Sequence, residues 1–464
     1  MTATPLLDSP SSSLLGLATP LLALTPLRMH GNWTRQPLID FDESVHVALD
    51  ADVTSLHEDA AFGVPWQFYL SHARSPPAFW TQHLERIQAG IASGGPWATR
   101  HGVLLSLSLV TNGLGRTCPA GNASSVTNPN AAFVGPLTGP CTACYDFNVS
   151  TNPEASLVRA AHLKYVADVV AATRPQFINH AVEVNMYLNE CSSQRWAAVV
   201  DFANDVYAAV KAAHPPALVF PSFQAAFLRG QSDDHAPCHG KPARSCISAN
   251  LAAIAPLHRD LFAMSAYTSL DGVTGLPNAP PRSNFSGYLE EILSELPPSE
   301  ALAIAETGFL TSTLRVRDFP TPAPPSSPPI CFPLLASTAD AASKWLSYLF
   351  SLSDAGAYRG RWTLLTWWSD SDFLPDDVET SCYTKPCSQY PPMWGRDFVY
   401  CSVMDAYRGS HKPAWTGEAL LKEFGTMGIR SHADLSLKPR LGTLWRSRCA
   451  SCRSVPSDEE MAEK

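Results

Sequence analysis

Two glutamates lie near the ends of apolar, strand-like runs of the sequence. Glu183 lies in FINHAVEVNMY (177–187), and Glu306 lies in ALAIAETGF (301–309), 123 residues further along the chain. Burial of an ionised carboxylate is unfavourable unless the group is hydrogen-bonded, paired or used in a reaction. Two carboxyl groups in one cleft predict acid/base and nucleophilic chemistry at a carbon–oxygen bond. The alternative is that each glutamate only pairs with a buried arginine or accepts a loop amide.

Side chains suited to ligand binding end several neighbouring runs. His57 follows the run DVTSL, Tyr267 ends LFAMSAY, and Trp367 and Trp368 end RWTLLTWW. A tryptophan or tyrosine ring combines a large apolar face with one polar group, which suits the apolar C–H face of a sugar ring. We predict that His57 contacts a ligand, and the aromatic rings have the chemistry to do so. The alternatives are a surface cluster of acidic residues around His57 and core packing for one of the two tryptophans.

Strand alternation predicts which residues accompany Glu183. Successive side chains of a strand point to opposite sides of the sheet. If residues 177–187 form one strand, one face carries Asn179, Ala181, Glu183, Asn185 and Tyr187. We therefore predict that Asn185 binds the ligand beside Glu183.

The elements that must position these residues alternate between short β-rich runs and longer helical runs. Such βα repeats indicate a parallel sheet, and eight of them predict an α/β fold of the (β/α)₈ TIM-barrel type. The sequence contains neither a GxGxxG motif nor a P-loop. An open doubly wound sheet would more often show such a Gly-rich first turn. The predicted strands cover residues 18–27, 52–59, 102–110, 177–187, 217–223, 261–267, 301–309 and 361–368. The predicted helices cover residues 37–50, 155–172, a segment beginning at Ser192 or Ser193, 247–257, 285–296, 337–352 and 416–424.

Long insertions rich in Pro, Ser and Cys follow several of these strands, at 112–153, 225–246, 310–335 and 370–400. In a barrel, segments that follow strands lie at the C-terminal mouth, where active sites are built. We predict one barrel domain over residues 1–430 and a C-terminal tail over residues 431–464.

Composition excludes several classes of partner. The chain has 464 residues, 45% hydrophobic and 16% charged, with a net charge of −9. Because the charge is negative and no basic cluster stands out, nucleic acid is not an expected partner. No apolar run reaches the length of a membrane span. HAPCHG (235–240) lacks a second ligand pair for zinc, no GxSxG motif is present, and we expect neither a metal nor an organic cofactor.

Cysteines and sequons favour the secretory pathway. The chain has 12 cysteines, an even number. Close pairs that could form disulfides are Cys238 with Cys246, Cys382 with Cys387, and Cys449 with Cys452. N-x-[ST] sequons lie at Asn32, Asn122, Asn148 and Asn284. The apolar stretch 14–27 makes a poor signal peptide, because Pro20 and Pro26 break it and no basic residue precedes it.

The segments EVNMYL and AETGF resemble the ends of strands four and seven in clan A glycoside hydrolases, retaining enzymes with a (β/α)₈ barrel. The resemblance covers roughly residues 18–425, and TSLHEDAAFGVPW (54–66) is similar to the second-strand segment of some of these barrels. It implies Glu183 as the acid/base and Glu306 as the nucleophile. Tyr267 matches a tyrosine that hydrogen-bonds the nucleophile. Trp367 and Trp368 match an aromatic platform under the sugar.

The sequence departs from this pattern in two places. The clan usually has Asn directly before the acid/base, to hold the sugar 2-hydroxyl, but this chain has Val182. No obvious arginine follows the second strand either. The Asn-Glu dipeptide of this chain is Asn189-Glu190, which makes Glu190 a rival acid/base beyond the expected end of the strand.

Together these patterns predict a secreted, monomeric glycoside hydrolase that cleaves O-glycosidic bonds in oligo- or polysaccharides by a two-glutamate retaining mechanism. The alternative is a non-catalytic carbohydrate-binding barrel or a structural wall protein. That alternative keeps the aromatic platform but tolerates loss of either glutamate.

Overall fold

The computed structural model describes the barrel, most of its helices and parts of its loops. The described residues are 19–25, 50–57, 64–71, 78–92, 102–107, 109, 118–119, 134–135, 139–140, 144–230, 243–268, 285–309, 311, 314–317, 331–335, 338–368, 428–430 and 436–450. The predicted helix at 37–50, apart from residue 50, lies outside them, as do the predicted helix at 416–424 and the motif at 235–240.

Eight parallel strands form a closed barrel, which confirms the predicted fold class. Each strand pairs with the next one in the sequence, and the last strand pairs with the first. Closure leaves no sheet edge exposed. The strands are β1 (Leu21–Leu24), β2 (Val53–His57), β3 (Gly102–Ser106), β4 (Phe177–Ala181), β5 (Leu218–Gln224), β6 (Phe262–Ala266), β7 (Leu302–Thr307) and β8 (Trp362–Trp367).

Alternation along the strands divides the apolar side chains into two clusters. The inner cluster consists almost entirely of strand residues, including Leu104, Phe177, Phe220 and Leu364. The outer cluster combines the other faces of the strands with side chains of the surrounding helices. A small apolar plug therefore fills the barrel, and a larger layer joins the barrel to its helices.

Helices surround the barrel within the described residues. The predicted helix 155–172 is observed as Pro153–Thr173, and the helix predicted to begin at Ser192 or Ser193 begins at Ser193. The Asn152 side chain accepts a hydrogen bond from Glu154 N at 3.2 Å and so caps the first of these two helices. The helices are α1 (Trp66–Ser71), α2 (Ala78–Ile91), α3 (Pro153–Thr173), α4 (Asn185–Glu190), α5 (Ser193–Ala213), α6 (Ala225–Leu228), α7 (Ala243–Ile254), α8 (Glu290–Leu293), α9 (Ala339–Asp354) and α10 (Pro439–Arg448).

Helix α10 packs against α9 and therefore belongs to the barrel. Trp445 is fully buried, and its indole N–H donates to the carbonyl of Asp50, just before β2. The buried Asp50 carboxylate forms ion pairs with Arg430 and Arg446. Helix α10 lies within the segment predicted as a tail, 431–464, and these long-range contacts hold it at the amino end of the barrel.

Strand β4 is shorter than predicted. It ends at Ala181 rather than continuing to residue 187, a turn follows, and α4 begins at Asn185. The alternation predicted beyond Ala181 is therefore wrong, and Asn185 and Tyr187 do not extend a strand face. The local sequence fits both a period of two and a helical period, so periodicity alone did not separate them.

The described parts of the insertions add two short antiparallel hairpins. One joins Val134–Gly135 to Gly139–Pro140, and the other joins Leu314–Arg317 to Cys331–Leu335. Within the ranges given above, no helix combines the length and apolar character that crossing a bilayer requires.

Two fully buried histidines lie in the outer layer. His162 on α3 stacks against Trp66, with ring centroids 6.2 Å apart, and the ring of His180 on β4 meets the edge of Tyr207. Burial, reinforced by the nearby His180, lowers the pKa of His162 to about 3. Burial likewise lowers the pKa of His180 to about 4. Both rings therefore stay neutral in the folded protein at mildly acidic pH.

We predict that these histidines make the fold acid-sensitive. An unfolded histidine takes up a proton near pH 6.5, whereas the folded rings do so only near pH 3 to 4. The stabilisation is therefore complete above pH 6.5 and is lost as the pH falls towards 4. Between pH 7 and pH 5 the free energy of unfolding should fall by about 2 kcal/mol per histidine. Denaturant unfolding at the two pH values measures this change.

His162→Phe should remove about half of that pH dependence. Phe202→Leu, a neighbour in the same layer that cannot titrate, is the matched control. It should lower stability equally at both pH values. A wild-type stability that is the same at pH 7 and pH 5 would contradict the prediction.

Candidate active site

Glu183 follows β4 through an irregular backbone. Between Asn179 and Ala181, β4 contains one residue more than its partner β5, because these residues pair with Phe220 and Pro221. Such a bulge redirects the side chains that follow it. Glu183 then adopts a left-handed conformation with φ of +48°, which is unfavourable for a residue with a Cβ. Its side chain is only 9% exposed.

The turn at Glu183 is held by Ser222 on β5. The Ser222 hydroxyl accepts hydrogen bonds from the backbone N–H of Glu183 and from the side-chain amide of Asn179, each at 2.9 Å. The carbonyl of Ser222 accepts the N–H of Val184 at 3.1 Å. Ser222 therefore binds two consecutive peptide N–H groups of the turn. Sequence reasoning did not single out Ser222, because its contact with Glu183 spans two strands.

Glu306 lies at an equivalent irregularity in β7. Between Ile304 and Thr307, β7 has one residue more than either of its neighbours β6 and β8. The side chain of Thr307 is held on the helix side, since its hydroxyl donates to Ala266 O at 2.6 Å and accepts from the Trp345 indole N–H at 2.9 Å. Glu306, one residue earlier, is buried with 5% exposure.

Tyr267 contacts the second glutamate as predicted. It follows β6, is 5% exposed, and its hydroxyl donates to Glu306 Oε2 at 3.2 Å. The structure therefore brings Tyr267 and Glu306 together at the carboxyl ends of adjacent strands. This hydrogen bond orients the Glu306 carboxyl group.

Asn185 does not lie on a strand face as predicted. It is the first residue of α4, and its side chain contacts the backbone of β5. Its side-chain amide donates to Gln224 O at 3.0 Å, and its side-chain oxygen accepts from Gln224 N at 2.8 Å. The amide thus mimics one more residue pair beyond the end of β4. Both ends of this amide serve to join α4 to β5.

The two tryptophans predicted as a platform lie in different environments. Trp367 is fully buried in the outer cluster, between the barrel and its helices. Trp368 is partly exposed, and its backbone N–H donates to Thr307 O at 2.7 Å beside the end of β7. Of the two, Trp368 is the one that an approaching ligand can reach.

Two further predicted positions are only partly described. His57 ends β2, where its backbone pairs with Ser106, but its side chain lies outside the described atoms. Glu190, the rival acid/base, ends α4, and its side chain also lies outside them. His57 and Glu190 therefore stay sequence predictions.

A ring of small polar side chains occupies the barrel interior above the apolar plug. Each lies two positions beyond a member of the inner cluster, and all are fully buried: Ser55, Ser106, Asn179, Ser222, Ser265 and Thr366. Among the described residues, the hydroxyls of Ser106 and Ser265 have no hydrogen-bond partner, whereas Ser222 has two. The sequence signal for this ring is a small polar residue two positions beyond an apolar residue of the inner cluster, in six of the eight strands.

A disulfide holds the segment that follows Glu183. Cys144 and Cys191 are bonded, with Cα atoms 5.7 Å apart, and they join the end of α4 to the segment before α3. The hydroxyl of Tyr187 on α4 donates to Tyr145 O in that segment at 2.6 Å. Cys246 is buried, and Cys238, the partner that its spacing suggests, lies outside the described residues. The short helix α4 is therefore held to the segment before α3 by a disulfide and by a hydrogen bond.

Nothing in the described part of the chain gathers three or more His, Cys, Asp or Glu side chains into a geometry that could hold a metal ion. The zinc-like motif at residues 235–240 lies outside the described ranges.

No protein-family model matches the chain, and no curated protein matches it at a significant level. Among solved structures, the chain is similar to a Bacteroides uniformis β-glucuronidase, with 8% identity and a TM-score of 0.45 over 93% of this chain and 35% of that one. It is also similar to an exo-β-1,4-mannosidase from an Opitutaceae bacterium, with 12% identity and a TM-score of 0.47 over 95% of this chain and 61% of that one. A Paenibacillus barcinonensis xylanase gives 11% identity and a TM-score of 0.44 over 95% and 99% of the two chains.

The chain spans about a third of the length of the B. uniformis β-glucuronidases that it matches, 35% and 36% of the two. Identities this low carry no information about substrate. The roles of individual residues rest on the geometry of this chain.

Proposed function

We propose that this protein is a glycoside hydrolase that cleaves O-glycosidic bonds by a retaining mechanism, with Glu183 as acid/base and Glu306 as nucleophile. One observation carries the proposal: two nearly buried glutamates lie at the carboxyl ends of two strands of a closed barrel, Glu183 just after β4 and Glu306 near the end of β7. This end is where enzymes of the fold build their active sites. Each carboxyl group follows a one-residue bulge, a feature that recurs beside active sites.

The chemistry divides between the two groups. Glu183 protonates the glycosidic oxygen as the bond to the leaving sugar breaks, while a carboxylate oxygen of Glu306 attacks the anomeric carbon. The covalent glycosyl-enzyme then reacts with water, from which Glu183 removes a proton. Two inversions at the anomeric carbon give net retention.

Two neighbouring aromatic residues support these roles. The Tyr267 hydroxyl donates to Glu306 Oε2, which fixes the rotation of the attacking carboxylate. Partly exposed Trp368 follows β8, beside the end of β7, and offers an apolar face to a sugar ring. Trp367 has no such role, because its side chain is fully buried.

One observation favours a second candidate, a barrel that binds carbohydrate without cleaving it. Position 182, directly before the proposed acid/base, carries a buried valine that cannot hydrogen-bond a sugar hydroxyl. A binding barrel would keep Trp368 and would tolerate loss of either glutamate.

We also propose that the chain matures in the secretory pathway and carries a glycan on Asn148. The bond between Cys144 and Cys191 requires an oxidising compartment. The sequon Asn148-Val149-Ser150 lies in a surface turn, where Val149 is 49% exposed. The Asn148 side-chain oxygen accepts the Ser150 N–H at 2.9 Å, so the turn is preformed.

We predict that Glu183→Gln and Glu306→Gln each abolish most glycosidase activity while leaving the fold intact. Removal of a general acid/base costs about 10²- to 10⁴-fold in rate, and loss of the nucleophile removes the covalent step altogether. A panel of aryl glycosides, assayed alongside thermal unfolding, measures both effects.

Glu300→Gln is the matched control for these variants. Glu300 lies just before the amino end of β7, whereas Glu306 lies near the carboxyl end of the same strand. Glu300 forms an ion pair with Arg259 at 2.6 Å. It should retain wild-type activity. If Glu183→Gln or Glu306→Gln also retains wild-type activity, the two-glutamate mechanism is wrong. If the wild-type protein binds sugar but does not cleave it, the second candidate function is selected.

We predict that protein secreted from a eukaryotic cell line carries an N-linked glycan at Asn148. Enzymatic release of the glycan converts the asparagine to aspartate, which peptide mass spectrometry detects. Ser150→Ala keeps the asparagine but removes the sequon, and it should leave residue 148 unmodified. Secreted wild-type protein with an intact, unmodified Asn148 peptide would contradict the proposal.

A further inference from the structure

We infer that Ser222 is a positioning residue for the proposed acid/base, because its hydroxyl and carbonyl hold Glu183 in a left-handed turn. This inference rests on the proposed function but has a structural readout of its own. Ser222 lies on β5, whereas the glutamate that it positions follows β4.

The conformation of Glu183 needs an external support. Its φ of +48° is one of only two positive values at non-glycine residues in the described chain, the other being Arg174. Arg174 has an ordinary reason, since it ends α3 as a left-handed cap whose N–H bonds Val170 O. Glu183 follows a strand and ends no helix, so no cap accounts for its conformation.

Ser222 supplies this support with its side-chain hydroxyl and its backbone carbonyl. A hydroxyl oxygen can accept two hydrogen bonds, and that of Ser222 accepts the Glu183 N–H and the Asn179 amide, each at 2.9 Å. Its carbonyl takes the next N–H, from Val184, at 3.1 Å. With Ser222 fully buried, no water replaces these contacts. Removal of the hydroxyl would leave two buried donors without an acceptor.

The direction of the Glu183 side chain depends on this turn. The Cα–Cβ bond rotates with the backbone, so a change from left-handed to right-handed or extended φ displaces the carboxyl group by several ångströms, on the order of the side chain's own reach. A general acid must lie within hydrogen-bond distance of the leaving oxygen. Loss of the Ser222 hydroxyl should therefore impair proton transfer more than the attack by Glu306.

The ring of small polar residues provides a matched control. Ser265 occupies the corresponding position on β6 and is equally buried, but its hydroxyl has no hydrogen-bond partner among the described residues. A Ser→Ala change there removes the same atom from the interior face of the adjacent strand, where Ser265 pairs with Gln224. It does not touch the Glu183 turn.

Two substrates with different leaving groups distinguish a misplaced acid from general damage to the active site. A 2,4-dinitrophenolate leaves without a proton, whereas the alcohol of an unactivated disaccharide needs one. For Ser222→Ala we expect kcat/KM on the disaccharide to fall about 10²-fold. The pre-steady-state burst of dinitrophenolate should stay within about threefold of wild type, because it reports attack by Glu306. Ser265→Ala, at a residue that pairs with Glu306, should leave the ratio of the two rates as it is in wild type.

Two further variants test the inference if the Ser222→Ala protein does not fold. Ser222→Thr keeps the hydroxyl and should recover the disaccharide activity to within about tenfold of wild type. Ser222→Cys keeps the size of the side chain with a weaker acceptor and should lie between wild type and Ser222→Ala. Equal losses on both substrates, or unchanged activity in Ser222→Ala, would overturn the inference.

A crystal structure of Ser222→Ala or Ser222→Cys tests the inference apart from the proposed function. We expect φ of Glu183 to leave the left-handed region in at least the alanine variant. If Glu183 keeps a φ near +48° without the hydroxyl, the inference is wrong even if wild type is an active glycosidase. If φ changes but wild type cleaves no glycoside, Ser222 holds the turn and the proposed function is what fails.

Discussion

Parallel pairing around a closed barrel fixes the side to which each strand residue points, and both proposed catalytic glutamates follow a place where this pairing is interrupted. One extra residue in β4 precedes Glu183, and one extra residue in β7 lies between Ile304 and Thr307. A regular strand of eight-stranded geometry would direct every second residue into the packed interior. The bulges change this alternation next to each of the two glutamates. The rest of the site depends on this local departure from regular pairing.

The neighbouring strands stabilise these irregular ends. On one side, Ser222 of β5 accepts the N–H groups of the Glu183 turn, and the Asn185 amide pairs with the backbone of Gln224. On the other side, Tyr267 orients Glu306, and the indole of Trp345 fixes Thr307. The Cys144–Cys191 disulfide secures the short helix beyond Glu183. These contacts come from several elements of the fold, so the arrangement of both glutamates depends on how the strands and helices assemble.

Much of this architecture could be predicted from sequence, because eight apolar runs separated by helical segments have few other solutions. The contact of Tyr267 with Glu306 was implied by the resemblance to clan A glycoside hydrolases, and the hydrogen bond is observed. The end of β4 could not be predicted, since EVNMYL fits both strand and helix periodicity. Trp367 and Trp368 were separated only by the observed register, because a one-residue shift exchanges the faces of a strand. Helix α10 was missed because it is rich in arginine and depends on a distant partner, Asp50.

The separation of the two carboxyl groups tests the central claim most directly. A high-resolution crystal structure of the wild-type protein, with an unreactive sugar bound, measures the distance between the carboxyl groups of Glu183 and Glu306 across the anomeric carbon. The retaining mechanism predicts a separation of about 5 to 5.5 Å. A distance of about 6.5 to 9.5 Å would indicate inversion. A larger distance, or a sugar that contacts neither group, would contradict the account.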